Sequence, residues 1–174
     1  FVKVQDGCDN RCAYCLTQVA RGRSVSTDAS SVVAYSRKLQ NLGVKEIVLT
    51  GVQLGSWGKD ILPKKSISDL VKMLLDQTEI PRIRLSSIEP WDVSSELISL
   101  FRDPRLCPHL HIPLQSGSDE ILRKMNRPMN TIRFRKILEK IRAAMPDFAI
   151  TTDIICGFPG ETEDDFKQLT AFVK

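Results

Sequence analysis

The chain has 174 residues, which suits one domain with a single core and leaves little room for two. Hydrophobic residues make up 42% and charged residues 26%, and no apolar run approaches the length of a membrane span. The net charge is +4, and three of the five cysteines fall within eight positions, which argues against a secreted disulfide framework. We therefore predict a cytoplasmic protein, without a membrane span, that carries metal or redox chemistry.

Short stretches rich in β-branched residues alternate with segments of helical periodicity along the chain. This pattern predicts strands over 1–5, 45–50, 82–87, 109–114 and 148–154. It predicts helices from Thr27 or Asp28 to a stop at Gly43, from Ser66, over 94–101, 118–125 and 131–145, and from Thr162. Ser66 and Thr162 are each followed three positions later by an aspartate, as in a capping box. Five strand-then-helix units in order indicate a parallel sheet.

Alternation within the predicted strands separates an aliphatic face from an unusually polar one. Ile47 and Leu49 point one way, opposite Glu46, Val48 and Thr50, and the three later strands follow the same rule. A doubly wound sheet with helices on both faces reads instead as continuous apolar runs. The pattern favours an open or partial barrel with a polar interior, and a Rossmann-like sheet is the alternative.

Three cysteines follow the first predicted strand in the stretch Cys8-Asp9-Asn10-Arg11-Cys12-Ala13-Tyr14-Cys15. In a barrel, the loops after the strands carry the active site. Thiolates bind iron–sulfur clusters and zinc. Three cysteines in this spacing suit a four-iron cluster with one iron left open for a ligand. A zinc-binding interaction module is the alternative, and it needs a distant fourth ligand from among His109, His111, Cys107 and Cys156.

The cysteine spacing, with the aromatic Tyr14 before the last cysteine, resembles the signature of the radical S-adenosylmethionine (SAM) superfamily. The resemblance implies that Cys8, Cys12 and Cys15 hold a [4Fe–4S] cluster whose open iron is chelated by SAM. It also implies that an electron, delivered by an external donor, cleaves SAM to a 5′-deoxyadenosyl radical that abstracts a hydrogen from the substrate. The family fold is a partial (β/α)6 TIM-like barrel, which we expect here with about five βα units.

The same resemblance assigns SAM contacts at the ends of the later strands. Gly51 and Gln53 occupy the second-strand position that binds the SAM amino group, although the common Gly-Gly-Glu is absent. Glu89 and Gln115 end the third and fourth strands, where the SAM ribose or the substrate binds. Further assignments are Tyr14 beside the cluster, Arg127 at the SAM carboxylate, and Asp153 and Gly157 in a fifth-strand motif near the adenine.

Four stretches are similar to the methylthiotransferase subfamily, and they span most of the chain: 20–24, 84–90, 111–118 and 157–162. They most resemble the branch that methylthiolates N6-threonylcarbamoyladenosine beside the anticodon of tRNA. The branches that act on isopentenyladenosine or on a ribosomal protein are the alternatives. The resemblance implies that one SAM methylates a sulfur on an auxiliary cluster and that a second supplies the radical that activates adenine C2.

In that family the auxiliary cluster lies in an N-terminal domain, and a small C-terminal domain binds RNA. We expect residues 1–174 to be the radical SAM core alone, so that the fragment binds the cluster and SAM but does not complete methylthiolation. Full turnover by the isolated fragment would contradict this expectation.

Eight basic residues and one acidic residue lie between Arg123 and Arg142. They are either a solvated helix face or, with Arg21 and Arg23, a surface for tRNA phosphates; the candidates in the run are Arg123, Lys124, Arg127, Arg133, Arg135 and Lys136. Among the other residues, Cys107 is expected to be a buried or loop thiol and Cys156 a small core residue. Trp57 and Trp91 are expected to pack within loops rather than to stack on bases.

Overall fold

The computed structural model describes residues 1–174, in which six strands alternate with seven helices. The strands are β1 (Val2–Asp6), β2 (Val25–Ser26), β3 (Glu46–Gly51), β4 (Arg82–Leu85), β5 (His109–His111) and β6 (Ala149–Thr151). The helices are α1 (Thr17–Arg21), α2 (Ala29–Asn41), α3 (Ile67–Gln77), α4 (Ser95–Leu100), α5 (Asp119–Lys124), α6 (Thr131–Ala144) and α7 (Glu163–Val173). None of the helices is long and apolar enough to cross a membrane.

The strands form a four-stranded sheet in the order β2-β1-β3-β4, in which only β2 is antiparallel, and a parallel pair, β5-β6. Two isolated parallel bridges, Ile83 to Leu106 and Ser87 to His111, place the β5 segment beside β4, so the parallel strands follow one another in chain order. A doubly wound sheet reverses its strand order at a switch point, whereas a barrel keeps the order of the chain. The predicted partial barrel is therefore confirmed, and the Rossmann-like alternative is wrong.

The predicted helix starts are confirmed at the level of single side chains. Asp28 caps α2 by accepting from the backbone N–H of Ser31, and Gly43 follows its end with a φ of +81°. Capping boxes join Ser66 to Asp69 at the start of α3 and Thr162 to Asp165 at the start of α7. Each box satisfies backbone donors that a helix start would otherwise leave unpaired.

The two faces of the sheet differ as the strand alternation predicts. Ile47, Leu49, Ile83 and Leu85 are at most 1% exposed and pack into the main apolar core. On the opposite face Glu46 forms salt bridges with Arg82 at 3.1 Å and with Arg84 at 3.0 Å. The same face carries His111, which lies 3.0 Å from Asp153. The inner surface of the barrel is thus lined by paired polar side chains.

Three details differ from the sequence predictions. The last three strands are shorter than predicted: only isolated bridges continue beyond them, and after β5 Pro113 has no N–H for the ladder. The helix α1 and the two-residue β2 were not predicted, since α1 buries no side chain and so leaves no apolar periodicity. Cys156 is exposed rather than buried, because the strand ladder ends at Ile154 and alternation no longer determines its side.

Candidate active site

One cavity of about 140 Å³ lies at the carboxyl ends of the parallel strands and gathers residues from four loops. The loop after β1 contributes the three cysteines and Tyr14, the loop after β3 contributes two residues, and the loops after β4 and β5 contribute one each. Seven of the eleven predicted site residues line this cavity: Cys8, Cys12, Cys15, Tyr14, Gln53, Glu89 and Gln115. Asn10, Thr17 and Val52 complete the wall.

The cysteine loop is held from two sides. On one side the Cys8 N–H donates to the carbonyl of Gly22 at 3.1 Å. On the other, the Ala13 N–H donates to the carbonyl of Met125 at 3.0 Å, and the Asn126 side-chain amide donates to the carbonyl of Arg11 at 2.7 Å. These bonds tie the loop to the connection between α5 and α6, so the thiols are positioned by the fold itself.

The three thiols suit a thiophilic, positively charged group. All three are free of disulfides, and the Cys8 sulfhydryl donates to the side-chain oxygen of Gln53 at 3.4 Å. Burial raises the pKa of Cys8, and the nearby charges of Cys12 and Cys15 raise it further, against the effect of the backbone N–H of Asn10. Gathering three thiolates is therefore unfavourable unless cationic iron offsets their repulsion. The residues present fit an iron–sulfur cluster.

The zinc alternative finds no ligand set. No three His, Cys, Asp or Glu side chains are grouped as a single metal ion requires. Three of the four proposed distant ligands are engaged elsewhere, since Cys107 is buried beside Arg82 and both histidines hydrogen bond to Thr151, while Cys156 is exposed. Cys107 is thus the buried thiol that the sequence predicts.

Gln5 joins the loops that build the site, and the sequence analysis missed it. Its side chain is 1% exposed; the amide nitrogen donates to the carbonyl of Gly7 at 2.7 Å and to the Ser24 hydroxyl at 2.9 Å. The amide oxygen accepts from the Gln53 N–H at 2.8 Å. A Cβ at Gly51 would lie 2.8 Å from that same oxygen, so a side chain there would push the Gln5 amide away from the Gln53 N–H. A glutamine on the first strand, at a position where the pattern predicts burial, was the sequence signal that could have identified it.

Glu89 and Arg127 form a buried ion pair beside the cavity. The guanidinium donates to the two carboxylate oxygens at 3.0 and 2.8 Å, to the carbonyl of Pro113 at 2.7 Å and to the Tyr14 hydroxyl at 3.4 Å. Burial raises the pKa of Glu89 more than Arg127 lowers it, and Arg127 keeps its charge. With its terminal nitrogens engaged, Arg127 acts here as a positioning residue for Glu89, and it lies 4.8 Å from the Trp91 ring centre.

Gln115 is held in a strained backbone conformation at the mouth of the cavity. Its φ is +74°, a region that residues other than glycine rarely adopt. Its N–H donates to the carbonyl of Asp153 and its own carbonyl accepts from Ile155, both at 2.9 Å. The bridge to the end of β6 therefore fixes this conformation and keeps the side chain against the cavity.

Four of the eleven predicted site residues lie outside the cavity wall: Gly51 and Arg127, described above, and Asp153 and Gly157. Asp153 faces the barrel interior and pairs with His111, and Gly157 donates its N–H to Glu161 in an exposed turn with a φ of +74°. Both are near the end of β6, so they border the site without joining the cysteines. Trp57 is fully buried and donates to the carbonyl of Thr27 at 2.9 Å, which confirms its packing role.

Residues 2–173 match the Radical SAM superfamily. The whole chain is 44% identical to the threonylcarbamoyladenosine tRNA methylthiotransferase MtaB of Thermotoga maritima, covering 40% of that protein. It is 42% identical, again over its whole length, to a tRNA-2-methylthio-N(6)-dimethylallyladenosine synthase of a Thermoanaerobacter species, covering 37% of it. The chain therefore spans about two fifths of the length of these curated relatives.

Solved structures agree on the fold. The radical SAM methyltransferase TsrM of Kitasatospora setae, with cobalamin and a [4Fe–4S] cluster bound, matches 99% of this chain and 34% of its own, with a TM-score of 0.73 and 18% identity. The cobalamin-dependent radical enzyme OxsB matches 98% of this chain and 25% of its own, with a TM-score of 0.76 and 12% identity. The predicted cofactors, a four-iron cluster and SAM, are those of this fold family. From the cysteine loop, the barrel order and this match over nearly every residue, the chain belongs to the radical SAM superfamily.

Proposed function

We propose that this chain is the catalytic core of a methylthiotransferase that replaces the C2 hydrogen of a modified adenosine in tRNA by a methylthio group. The observation that carries the proposal is the single cavity that combines three cysteines with Gln53, Glu89 and Gln115 at the ends of parallel strands. The names of the two curated relatives support the reaction class. We take N6-threonylcarbamoyladenosine as the substrate, and the dimethylallyl nucleoside is the second candidate because the 42% identical relative is named for it.

Each of the predicted site residues has a distinct part in this proposal. Cys8, Cys12 and Cys15 hold the cluster, which when bound supplies an electron and an open iron to SAM. Gln53, Glu89 and Gln115 offer amide and carboxylate oxygens to the amino group and hydroxyls of SAM. Tyr14 packs beside the cluster, and Gly51 admits the loop that carries Gln53. Arg127 holds Glu89, while Asp153 and Gly157 are assigned to the adenine end.

We propose further that the chain works as one domain of a longer protein, since it spans only 37–40% of its relatives. An auxiliary-cluster domain and an RNA-binding domain would complete the enzyme, and an external donor would reduce the cluster. Among the basic residues, exposed Arg123, Arg133 and Lys136 are the candidates for tRNA phosphates. Arg127 is withdrawn from that set because it is 6% exposed and paired with Glu89.

The proposal predicts that the full-length protein, supplied with SAM and a reductant, forms a methylthio nucleoside in tRNA, detected by mass spectrometry of digested RNA. Its affinity for tRNA should fall steeply with salt, because binding releases counterions from the phosphates. Arg133→Gln and Lys136→Gln should each lower the slope of log affinity against log salt by about one. Lys38→Gln, an exposed lysine of α2, is the matched control and should leave the slope unchanged. The absence of methylthio nucleoside, or a flat salt dependence, would contradict the proposal.

A further inference from the structure

A second and larger groove adjoins the cysteine cavity. Its volume is about 560 Å³, and Asn10 and Gln53 line both it and the cavity. Only one of its nine lining residues is hydrophobic: Asp9, Asn10, Arg23, Ser24, Gln53, Ser56, Lys59, Asp60 and Trp91. A group bound at the mouth of the cavity therefore has a polar compartment directly beside it.

The floor of the groove is polar and fixed by hydrogen bonds. The hydroxyls of Ser24 and Ser56 lie 2.7 Å apart, and the Ser56 hydroxyl donates to the carbonyl of Gln53 at 2.8 Å. Gln5 holds Ser24 from below at 2.9 Å. Because these groups are positioned before any ligand arrives, a polar ligand finds a pre-organised surface and pays little to order it.

Arg23 and Lys59 lie at the rim of the groove, each in an ion pair with an aspartate that a ligand can replace or share. The Arg23 side chain is 88% exposed, and its ion pair is Asp9 at 3.4 Å, a solvated contact of little strength. Lys59 is half-exposed and is aimed by Asp92, whose side chain is 5% exposed and whose second carboxylate oxygen has no partner. The acidic Asp60 is already engaged, accepting from the Ser26 N–H at 2.9 Å. A ligand carboxylate can therefore bind here by replacing Asp9 at the exposed Arg23 and by sharing Lys59 with Asp92.

We infer that this groove receives the N6 substituent of the target adenosine and that Arg23 and Lys59 bind its carboxylate. The inference rests on the proposed function and deepens it by assigning the residues that choose the substrate. A threonylcarbamoyl group carries a carboxylate, a hydroxyl and a ureido unit, which match the charged rim and the amide and hydroxyl floor. A dimethylallyl group has no polar atoms. In this groove it would cover the rim cations and the floor hydroxyls without offering them hydrogen-bond partners.

The test compares two RNA substrates on the full-length enzyme. Both are anticodon stem-loops; one carries N6-threonylcarbamoyladenosine and the other its methyl ester, which lacks the negative charge. Wild-type enzyme should prefer the acid by about ten- to a hundredfold in kcat/KM of methylthio product, as expected for charge-assisted hydrogen bonds. In Arg23→Gln and Lys59→Gln this preference should shrink towards one, chiefly because KM for the acid rises.

Matched variants separate recognition from folding. Lys59→Arg keeps the charge beside Asp92 and should restore much of the preference, whereas Lys72→Gln on α3 should keep the wild-type ratio. Arg23 is solvated, so its variant tests the inference even if Lys59→Gln folds poorly. If Arg23→Gln is as active as the wild type and keeps the wild-type acid-to-ester ratio, this inference is overturned and the proposed function is not. Wild-type activity on the dimethylallyl stem-loop but not on the acid also overturns it, and activity on neither RNA overturns the proposed function as well.

Discussion

Replacing Arg127 by alanine is expected to lower the free energy of unfolding by about 3–5 kcal/mol, the range found when one partner of a buried ion pair is removed. The Arg127 side chain is 1% exposed and gives both terminal nitrogens to Glu89, so truncation leaves that carboxylate largely buried without a counter-charge. The carbonyl of Pro113 loses its donor at the same time. Urea unfolding of the variant beside the wild type measures the loss.

Two further variants identify the cause. Lys124→Ala removes a partly exposed ion pair with Glu120 from the preceding helix, and it should cost no more than about 1 kcal/mol. Adding Glu89→Gln to Arg127→Ala should recover part of the stability, because a neutral amide is less costly to bury than an unpaired carboxylate. A loss below about 1 kcal/mol in Arg127→Ala would mean that the ion pair does not hold this side of the site.

Replacing Gly7 by alanine is expected to abolish most of the iron uptake, because Gly7 begins the cysteine loop at a position with no room for a side chain. A Cβ there would lie 1.9 Å from the carbonyl oxygen of Arg23 and 2.6 Å from its carbon, and φ is +69°. Backbone atoms on both sides must move, and the bond from the Cys8 N–H to Gly22 is one residue away. Iron and sulfide per chain after anaerobic reconstitution measure the effect.

Gly43→Ala is the matched control for Gly7→Ala. Gly43 has a φ of +81° but nothing within 4 Å of its Cβ position, so alanine there carries only the backbone cost of about 1–2 kcal/mol. It should destabilise the protein moderately and bind iron as the wild type does. Wild-type iron content in Gly7→Ala would show that the cysteine loop is not positioned by the close approach of these two backbone segments.

Local sequence signals predicted the elements that depend on local physics. The capping aspartates of α3 and α7, three residues after Ser66 and Thr162, act as predicted because a helix start is settled within one turn. Alternation in β3 and β4 predicted the aliphatic and polar faces, since successive side chains of a strand point to opposite faces of the sheet. The cysteine spacing predicted a metal or redox site, and its resemblance to the radical SAM signature predicted which one.

Features that depend on distant partners escaped prediction. Arg127 lies in a basic run and was assigned to phosphates as well as to SAM, yet its burial depends on Glu89, 38 residues earlier in the chain. Gln5 links three loops through bonds that no local pattern reports. The contact of Asp153 with His111 was not predicted either, because it depends on the pairing of β5 with β6; the assignment of Asp153 to the cofactor stays a prediction.

The most direct test of the radical SAM assignment is anaerobic iron–sulfur reconstitution, followed by electron paramagnetic resonance of the reduced protein with and without SAM. We predict a four-iron signal that changes when SAM is added, because Cys8, Cys12 and Cys15 leave one iron open to it. A colourless protein that takes up zinc, or a cluster whose spectrum is indifferent to SAM, would contradict the account.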